Sequence, residues 1–566
     1  MKSNLKKMTG SMVAVATIMS LLAACSGNDA NSSESSGSAA PSTTSSPTAS
    51  ATVEEKKPLA PVKLEVMLWG DKPKQFDEVV DEFERQTKDT LNIDLNVTWT
   101  PLADYGNKIK LMLSAGQKVD LAFDAPWLNM PGLIADGTYI ELDKYFANDE
   151  YPGLKQAFSD SLLNNNKFVG PDKQQHVYGV PLGQSYAPVY ALYYRKDLAA
   201  KYGISEITSY EDMLAYFDAI KTNEPGVVPY IFNKDQYPPA WIIDGNKGVK
   251  IDQANKNVWE VSLGSAGVAK LFIEDKKIKA SYLPGESTEA LKDFPEPFNK
   301  PDYSTNEEIL NWNTKGYIEK NAINRKDAMD QFTAGTAGSY MQTLDSFVAL
   351  QNSLAGAVPG SELGVYVFEN SVREMKPSAL LTDFKFWNFL SIPVTSENAD
   401  RSMMFLNWIF ENQKNHDLFE YGIEGKHWVA VGEDKYKLPD GVNTADNYTF
   451  PGYQLTWNPN YMRLAEAYPE SVVKYYSYVG QDSTFIRQIS SGFSFNGEPV
   501  KNETANPSFA QMAADNSGFE LGLIKDIESN KAKQLEKLLK DKKFQEDIFA
   551  IKTELVNQLQ AFLDAQ

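Results

Sequence analysis

The chain has 566 residues, with 55 lysines and arginines against 75 aspartates and glutamates, a formal net charge of −20, and 12% aromatic residues. That balance excludes nucleic acid and anionic lipid as charge-driven partners, because both need clustered cations. A chain of this length exceeds what one hydrophobic core holds and predicts two domains.

At the start, Lys2, Lys6 and Lys7 precede an apolar run of Met12, Val13, Val15, Ile18, Met19, Leu21 and Leu22. The run is too short for a stable bilayer span and lacks a stop-transfer flank, so residues 1–24 read as a secretory signal. It ends Leu22-Ala23-Ala24-Cys25, which resembles the lipobox of bacterial lipoproteins, whose cysteine is acylated on sulfur and becomes the new N-terminus. Cys25 is the single cysteine, and a lone free thiol on an exported protein is otherwise a liability. Residues 25–58 read as a tether. From Ser26 to Val53 they are almost wholly Ser, Thr, Ala, Gly, Pro and Asn, with only Asp29 and Glu34 charged. Such a segment cannot bury apolar surface, and as a coil it reaches on the order of 30 Å. No later apolar stretch approaches a span, so the lipid is the expected membrane attachment. Ser26 after the cysteine, in place of aspartate, and the long tether point to the outer face of a Gram-positive membrane, with a periplasm left open.

Beyond the tether, Leu64 to Trp69 alternates and stops at Gly70, predicting a strand and a turn. Phe76, Val79, Val80 and Phe83 recur at helical spacing. Asn92 to Trp99 alternates again; Ile109, Leu111, Met112 and Leu113 fall in a second helix; Val119 to Phe123 makes a short buried strand. Strand, helix, strand, helix, strand is the pattern of an α/β lobe with a largely parallel sheet. The alternation restarts with a strand at Tyr190 to Tyr194 and helices at Tyr210 to Lys221 and Ala266 to Asp275. It returns as a strand at Phe384 to Ile392 and a helix at Ala399 to Glu411. Ile548, Ile551, Leu555, Leu559 and Phe562 form one stripe of a long C-terminal helix that docks on a lobe.

Several blocks in this order are similar to the family 1 extracellular solute-binding proteins, the maltose-binding-protein class, and to their long lipoprotein branch. They are Trp69-Gly70-Asp71-Lys72, Asp120-Leu121-Ala122-Phe123-Asp124, Tyr178-Gly179-Val180-Pro181, Tyr193-Tyr194-Arg195-Lys196-Asp197-Leu198 and Phe405-Leu406-Asn407-Trp408. Tyr421-Gly422-Ile423-Glu424-Gly425-Lys426-His427-Trp428 is the most specific of them, and Gln558 to Leu563 also fits. The resemblance implies an α/β, two-lobed periplasmic-binding-protein-like fold with a ligand cleft between lobes. It places 59–188 with 384–430 in one lobe and 189–383 with 431–566 in the other. The implied function is a lipid-anchored receptor that hands an oligosaccharide to an ABC importer, contacting its permease subunits. It needs no cofactor and acts as a monomer.

Sugars offer apolar C–H faces to aromatic rings and hydroxyls to carboxylates, amides and cations. Ligands of open α/β sheets lie at the carboxyl ends of strands. Trp69, Asp71 and Lys72 follow the first strand, and Asp124 and Trp127 the third, so these are ligand candidates. Tyr186 precedes the crossing into the second lobe, Trp241 sits in the loop Pro238-Pro239-Ala240, Asp345 follows Tyr340 to Thr343, and Trp387 lies where the chain crosses back. Trp428 faces either the cleft or a structural turn. Lys72, Lys74 and Arg195 offer a positive rim, so uronate-bearing chains stay open.

Catalysis has little support. His176, His416 and His427 form no zinc-binding helical pair, and no Walker loop or Gly-x-Gly-x-x-Gly opens a helix. Glu424 to His427 reads as scaffold rather than an acid/base cluster. Thr222-Asn223-Glu224-Pro225-Gly226-Val227 stands where long-branch relatives often carry a calcium loop, and it lacks the alternating oxygen side chains that calcium needs. No metal is expected. The rivals are a receptor for a peptide or modified small molecule, a surface polysaccharide lyase or hydrolase, and a sensor that presents solute to a membrane kinase.

Overall fold

A computed structural model describes residues 59–233, 236–319, 321–442, 446–493 and 495–565. The signal, Cys25 and the tether through residue 58 lie outside them. No described helix is long and apolar enough to cross a membrane.

The first lobe is built on a five-stranded sheet in the order Ile93–Thr100, Val62–Trp69, Leu121–Asp124, Asn388–Ser391, Val180–Leu182. Val62–Trp69 runs parallel to both neighbours, whereas Asn388–Ser391 returns antiparallel from the far part of the chain. Val66, Met67 and Leu68 are all buried although consecutive residues point to opposite faces. Both faces of the sheet are therefore covered, as a parallel sheet requires. Helix Phe76–Thr87 supplies Phe76, Val79, Val80 and Phe83 to one face, and Phe83 meets Phe405, Trp408 and Phe419 at ring distances of 5.0–5.4 Å.

The second lobe holds a four-stranded sheet in the order Leu363–Tyr366, Tyr190–Arg195, Ala337–Thr343, Val228–Ile231. Its core is strongly aromatic, with Trp312, Tyr216, Tyr230, Tyr317 and Phe217 fully buried. A separate apolar cluster joins a three-stranded antiparallel sheet to the C-terminal helix Lys542–Ala565, through Phe544, Ile548, Ile551, Leu555, Leu559 and Leu563.

Two local readings change. The predicted helix at Ala266 to Asp275 is the strand Val268–Glu274. Ala269, Leu271 and Ile273 are buried and the residues between them are not, a period of two, and Asp275 and Lys276 turn the chain at positive φ into Lys277–Tyr282. The strand at Phe384 to Ile392 is only Asn388–Ser391, because Phe384 sits at φ 56°. In addition, Tyr448, Phe450, Leu455 and Tyr461 join the first lobe's core, beyond residue 430.

The chain leaves the first lobe's core after Leu182 and enters the second's at Val189, returns between Leu380 and Phe386, and crosses again between Tyr461 and Val472. Thr382 Oγ1 donates to the Tyr186 carbonyl at 2.9 Å. A Cβ on Gly183 would lie 2.7 Å from the Phe386 ring, so the crossing strands approach this closely only with glycine there.

Candidate functional site

A cavity of about 1210 Å³ lies where the two lobes and the crossing segments meet. Its second-lobe wall follows from local rules. Pro238 is extended and Pro239 opens helix Pro239–Lys247, a position where the missing N–H costs nothing. The first turn of that helix presents Trp241, 43% exposed, held edge-on by Tyr190 at 5.3 Å and Tyr237 at 6.0 Å. Tyr237 is fixed in turn by its hydroxyl donating to Gln342 Oε1 at 2.7 Å. Lys250 Nζ sits 5.9 Å from the Trp241 ring.

Asp345 follows strand Ala337–Thr343 and is exposed to the cavity. Its backbone carbonyl accepts from the Tyr468 hydroxyl at 2.9 Å, which fixes the loop and leaves the carboxylate to the cavity. Glu369 lies just past strand Leu363–Tyr366. Loss of hydration pushes its carboxyl up to about 7, with the Lys250 ammonium pulling the other way. Burial also raises Asp244, whose carboxylate accepts from Thr305 Oγ1 at 2.5 Å.

On the facing side, Trp387 is 66% exposed, and its carbonyl accepts from Trp127 Nε1 at 3.0 Å. Trp457 and Asn460 complete this wall, the Trp457 carbonyl accepting from the Gly183 N–H at 3.1 Å. Tyr186 lines the cavity from the crossing, its ring packed on Phe384, Phe386 and Phe485 at 4.8, 5.4 and 5.9 Å.

Of the residues singled out from sequence, Tyr186, Trp241, Asp345 and Trp387 come together here. Trp127 reaches the edge through its bond to Trp387 and is 45% exposed. The others sit elsewhere. Trp69 is packed by Tyr453 at 5.4 Å, and Gln454 pairs with both its backbone N–H and its carbonyl at 3.0 and 2.9 Å. Asp71 is exposed outside the cavity. Lys72 is held by Asp77 at 2.5 Å. Asp124 is fully buried and accepts from the backbone N–H groups of Ala125 and Asn129 and from the Tyr139 hydroxyl at 2.7–3.2 Å. Trp428 is buried, with Nε1 donating to the Gly422 carbonyl and Arg463 lying 5.3 Å over its ring. The cavity residues that sequence reasoning missed include Tyr190, Lys250, Glu369, Trp457 and Tyr476. For Trp457 a signal was available: it stands in the loop string Trp457-Asn458-Pro459-Asn460.

None of the described residues that line the cavity is a histidine or a cysteine. His427 is occupied at both nitrogens, by the Ile423 N–H at 2.9 Å and by Gln75 at 3.0 Å, and burial lowers its pKa. Glu224, in the stretch considered for calcium, is engaged by Lys201 at 2.7 Å and by the Tyr202 hydroxyl. Glu141, Asp172 and His176 bring ligand atoms within 4.8 Å of one another on the first lobe's surface. There His176 Nε2 already pairs with Asp172 at 3.0 Å.

The family model described as bacterial extracellular solute-binding protein matches residues 69–415. A carbohydrate ABC transporter substrate-binding protein from Streptococcus pneumoniae serotype 4 is 25% identical over 380 residues, covering 66% of this chain and 67% of that protein. Among solved structures, the N-glycan transport solute binding protein from Streptococcus pneumoniae superposes with a TM-score of 0.64 at 20% identity, covering 89% of this chain and 99% of that one. The same protein in complex with Man1GlcNAc gives 0.59 at 20% identity over the same shares. At these identities the superpositions speak for the two-lobed fold.

Proposed function

The chain belongs to the bacterial extracellular solute-binding protein family, and from that premise we propose that it is a lipid-anchored receptor delivering an oligosaccharide to an ABC importer. The observation that carries this reading is the 1210 Å³ cavity between lobes, lined by two exposed indoles, Trp241 from the second lobe and Trp387 from the crossing segment. Single exposed apolar residues are ordinary, but indoles gathered in one cavity rimmed by polar groups mark a binding groove. Two indoles with carboxylates and amides between them suit a row of sugar units, whose C–H faces stack and whose hydroxyls pair. The relative named for carbohydrate transport and the neighbour solved with Man1GlcNAc support the same solute class.

Solute bridging both walls stabilises the closed arrangement by the difference in its contacts between open and closed forms, and by no more. The closed form then docks on the permease. Cys25 supplies the anchor and residues 25–58 the tether, on the outer face of the membrane, and the protein acts as a monomer without changing the bonds of its ligand. Incubating the purified protein with candidate oligosaccharides tests this. A rise in melting temperature with the glycan recovered intact is expected, while new reducing ends would make it an enzyme.

A further inference from the structure

The charges around the cavity are one-sided. Among the described residues that line it there are six carboxylates, Asp244, Glu260, Asp345, Glu369, Asp383 and Glu520, against one ammonium, that of Lys250. None of the described lining residues is an arginine or a histidine. Lys250 lies over the Trp241 ring at 5.9 Å, and its charge acts on the nearby carboxylates Glu369 and Asp244. With Glu369 protonated the imbalance persists.

The cations that sequence alone offered as a positive rim are spent elsewhere. Lys72 pairs with Asp77 and Lys74 with Asp446 at 2.7 Å. Arg195 is buried and clamps Asp197 through two bonds at 2.8 and 2.6 Å. Lys385, in the crossing segment, turns to the Lys167 carbonyl at 3.0 Å and the face of Phe168 at 4.0 Å. A polyanion entering the cavity would meet an excess of carboxylates over cations among the lining residues, with Lys250 in the wall and Arg487 beside Tyr186 offsetting only part of it, and like charges near low-dielectric walls repel more strongly than in water. Neutral hydroxyls, by contrast, find in the same carboxylates the stronger class of acceptor.

We infer that the cleft is built for an uncharged oligosaccharide and excludes uronate-bearing chains, Asp345 and Glu369 being the groups that set this preference. This rests on the receptor reading above. The test is calorimetry on the purified protein with neutral pentasaccharides of mannose, N-acetylglucosamine and xylose, and with pentamers of galacturonate and mannuronate, at low and moderate salt. At least one neutral chain is expected to bind, with every uronate chain weaker by roughly tenfold or more and the gap narrowing as salt rises. Combining Asp345→Asn with Glu369→Gln should narrow the gap at low salt. A uronate pentamer binding as tightly as the best neutral one overturns the inference and leaves the receptor reading standing. Failure of every chain, of either charge, overturns both.

Discussion

The two walls of the cleft use their aromatic and acidic residues in opposite ways. At the carboxyl ends of the first lobe's strands, Trp69 and Asp124 face inward: Tyr453 and Gln454 cover the indole's strand, and three donors surround the carboxylate. On the second lobe, Trp241 stays 43% exposed between the near-perpendicular rings of Tyr190 and Tyr237, and Asp345 is exposed to the cavity. For Trp69 the segment carrying Tyr453, Gln454 and Trp457 makes the difference, whereas Asp124 is satisfied by its own neighbours Ala125, Asn129 and Tyr139. That segment folds back onto the first lobe, covers the Trp69 strand end, and puts Trp457 in the cavity. Strand-end position alone therefore does not mark a lining residue: Trp69 is covered by a returning segment, Asp124 by its own loop, and Asp71 lies exposed outside the cavity.

Exchanging residues between these classes should separate stability from binding. Asp124→Ala leaves buried donors at Ala125, Asn129 and Tyr139 unpaired and should cost on the order of 3 kcal/mol of unfolding free energy, read by urea denaturation. Trp241→Ala and Trp387→Ala should each weaken oligosaccharide binding by about 2 kcal/mol, roughly thirtyfold by calorimetry. Because both rings are already solvent-exposed, urea midpoints should shift little.

A smaller effect belongs to Glu369. Its folded-state value of about 7 lies above the ordinary carboxylate value. The protonated carboxyl thus favours the folded form fully below the unfolded value, and that contribution fades as pH rises through 7. Glu369→Gln should remove this slope, at most about 1.4 kcal/mol per pH unit, from stability measured between pH 4.5 and 7. Lys72→Ala, which breaks an exposed pair with Asp77, should change stability by less than about 0.5 kcal/mol. It should leave affinity unchanged, because Lys72 stands outside the cavity.

The architecture was legible in sequence because short strands alternate in order with amphipathic helices, from Leu64 to Trp69 through the buried run at Val119 to Phe123. The amphipathic helix at Phe76 and the C-terminal stripe were legible for a similar reason, each having one apolar face. Ala266 to Asp275 misled because Leu271 and Phe272 supply apolar residues to either period; the hairpin turn at Asp275-Lys276 decides for strand. Within the cavity, Trp241 and Trp387 could be found as tryptophans in loop or crossing context. Lys250 and Glu369 could not, since an isolated lysine or glutamate carries no pattern. Their role comes from the folding together of elements more than a hundred residues apart. The same holds for Trp69, whose cover arrives 385 positions later.

The decisive observation is a titration of the purified protein with a neutral pentasaccharide, followed by mass analysis of the sugar. Saturable binding of one sugar per chain, with the pentasaccharide recovered whole and affinity lost in Trp241→Ala, is the expected result. Binding that survives loss of both Trp241 and Trp387, or a pentasaccharide recovered as fragments, would refute a receptor that clasps its glycan between these two walls.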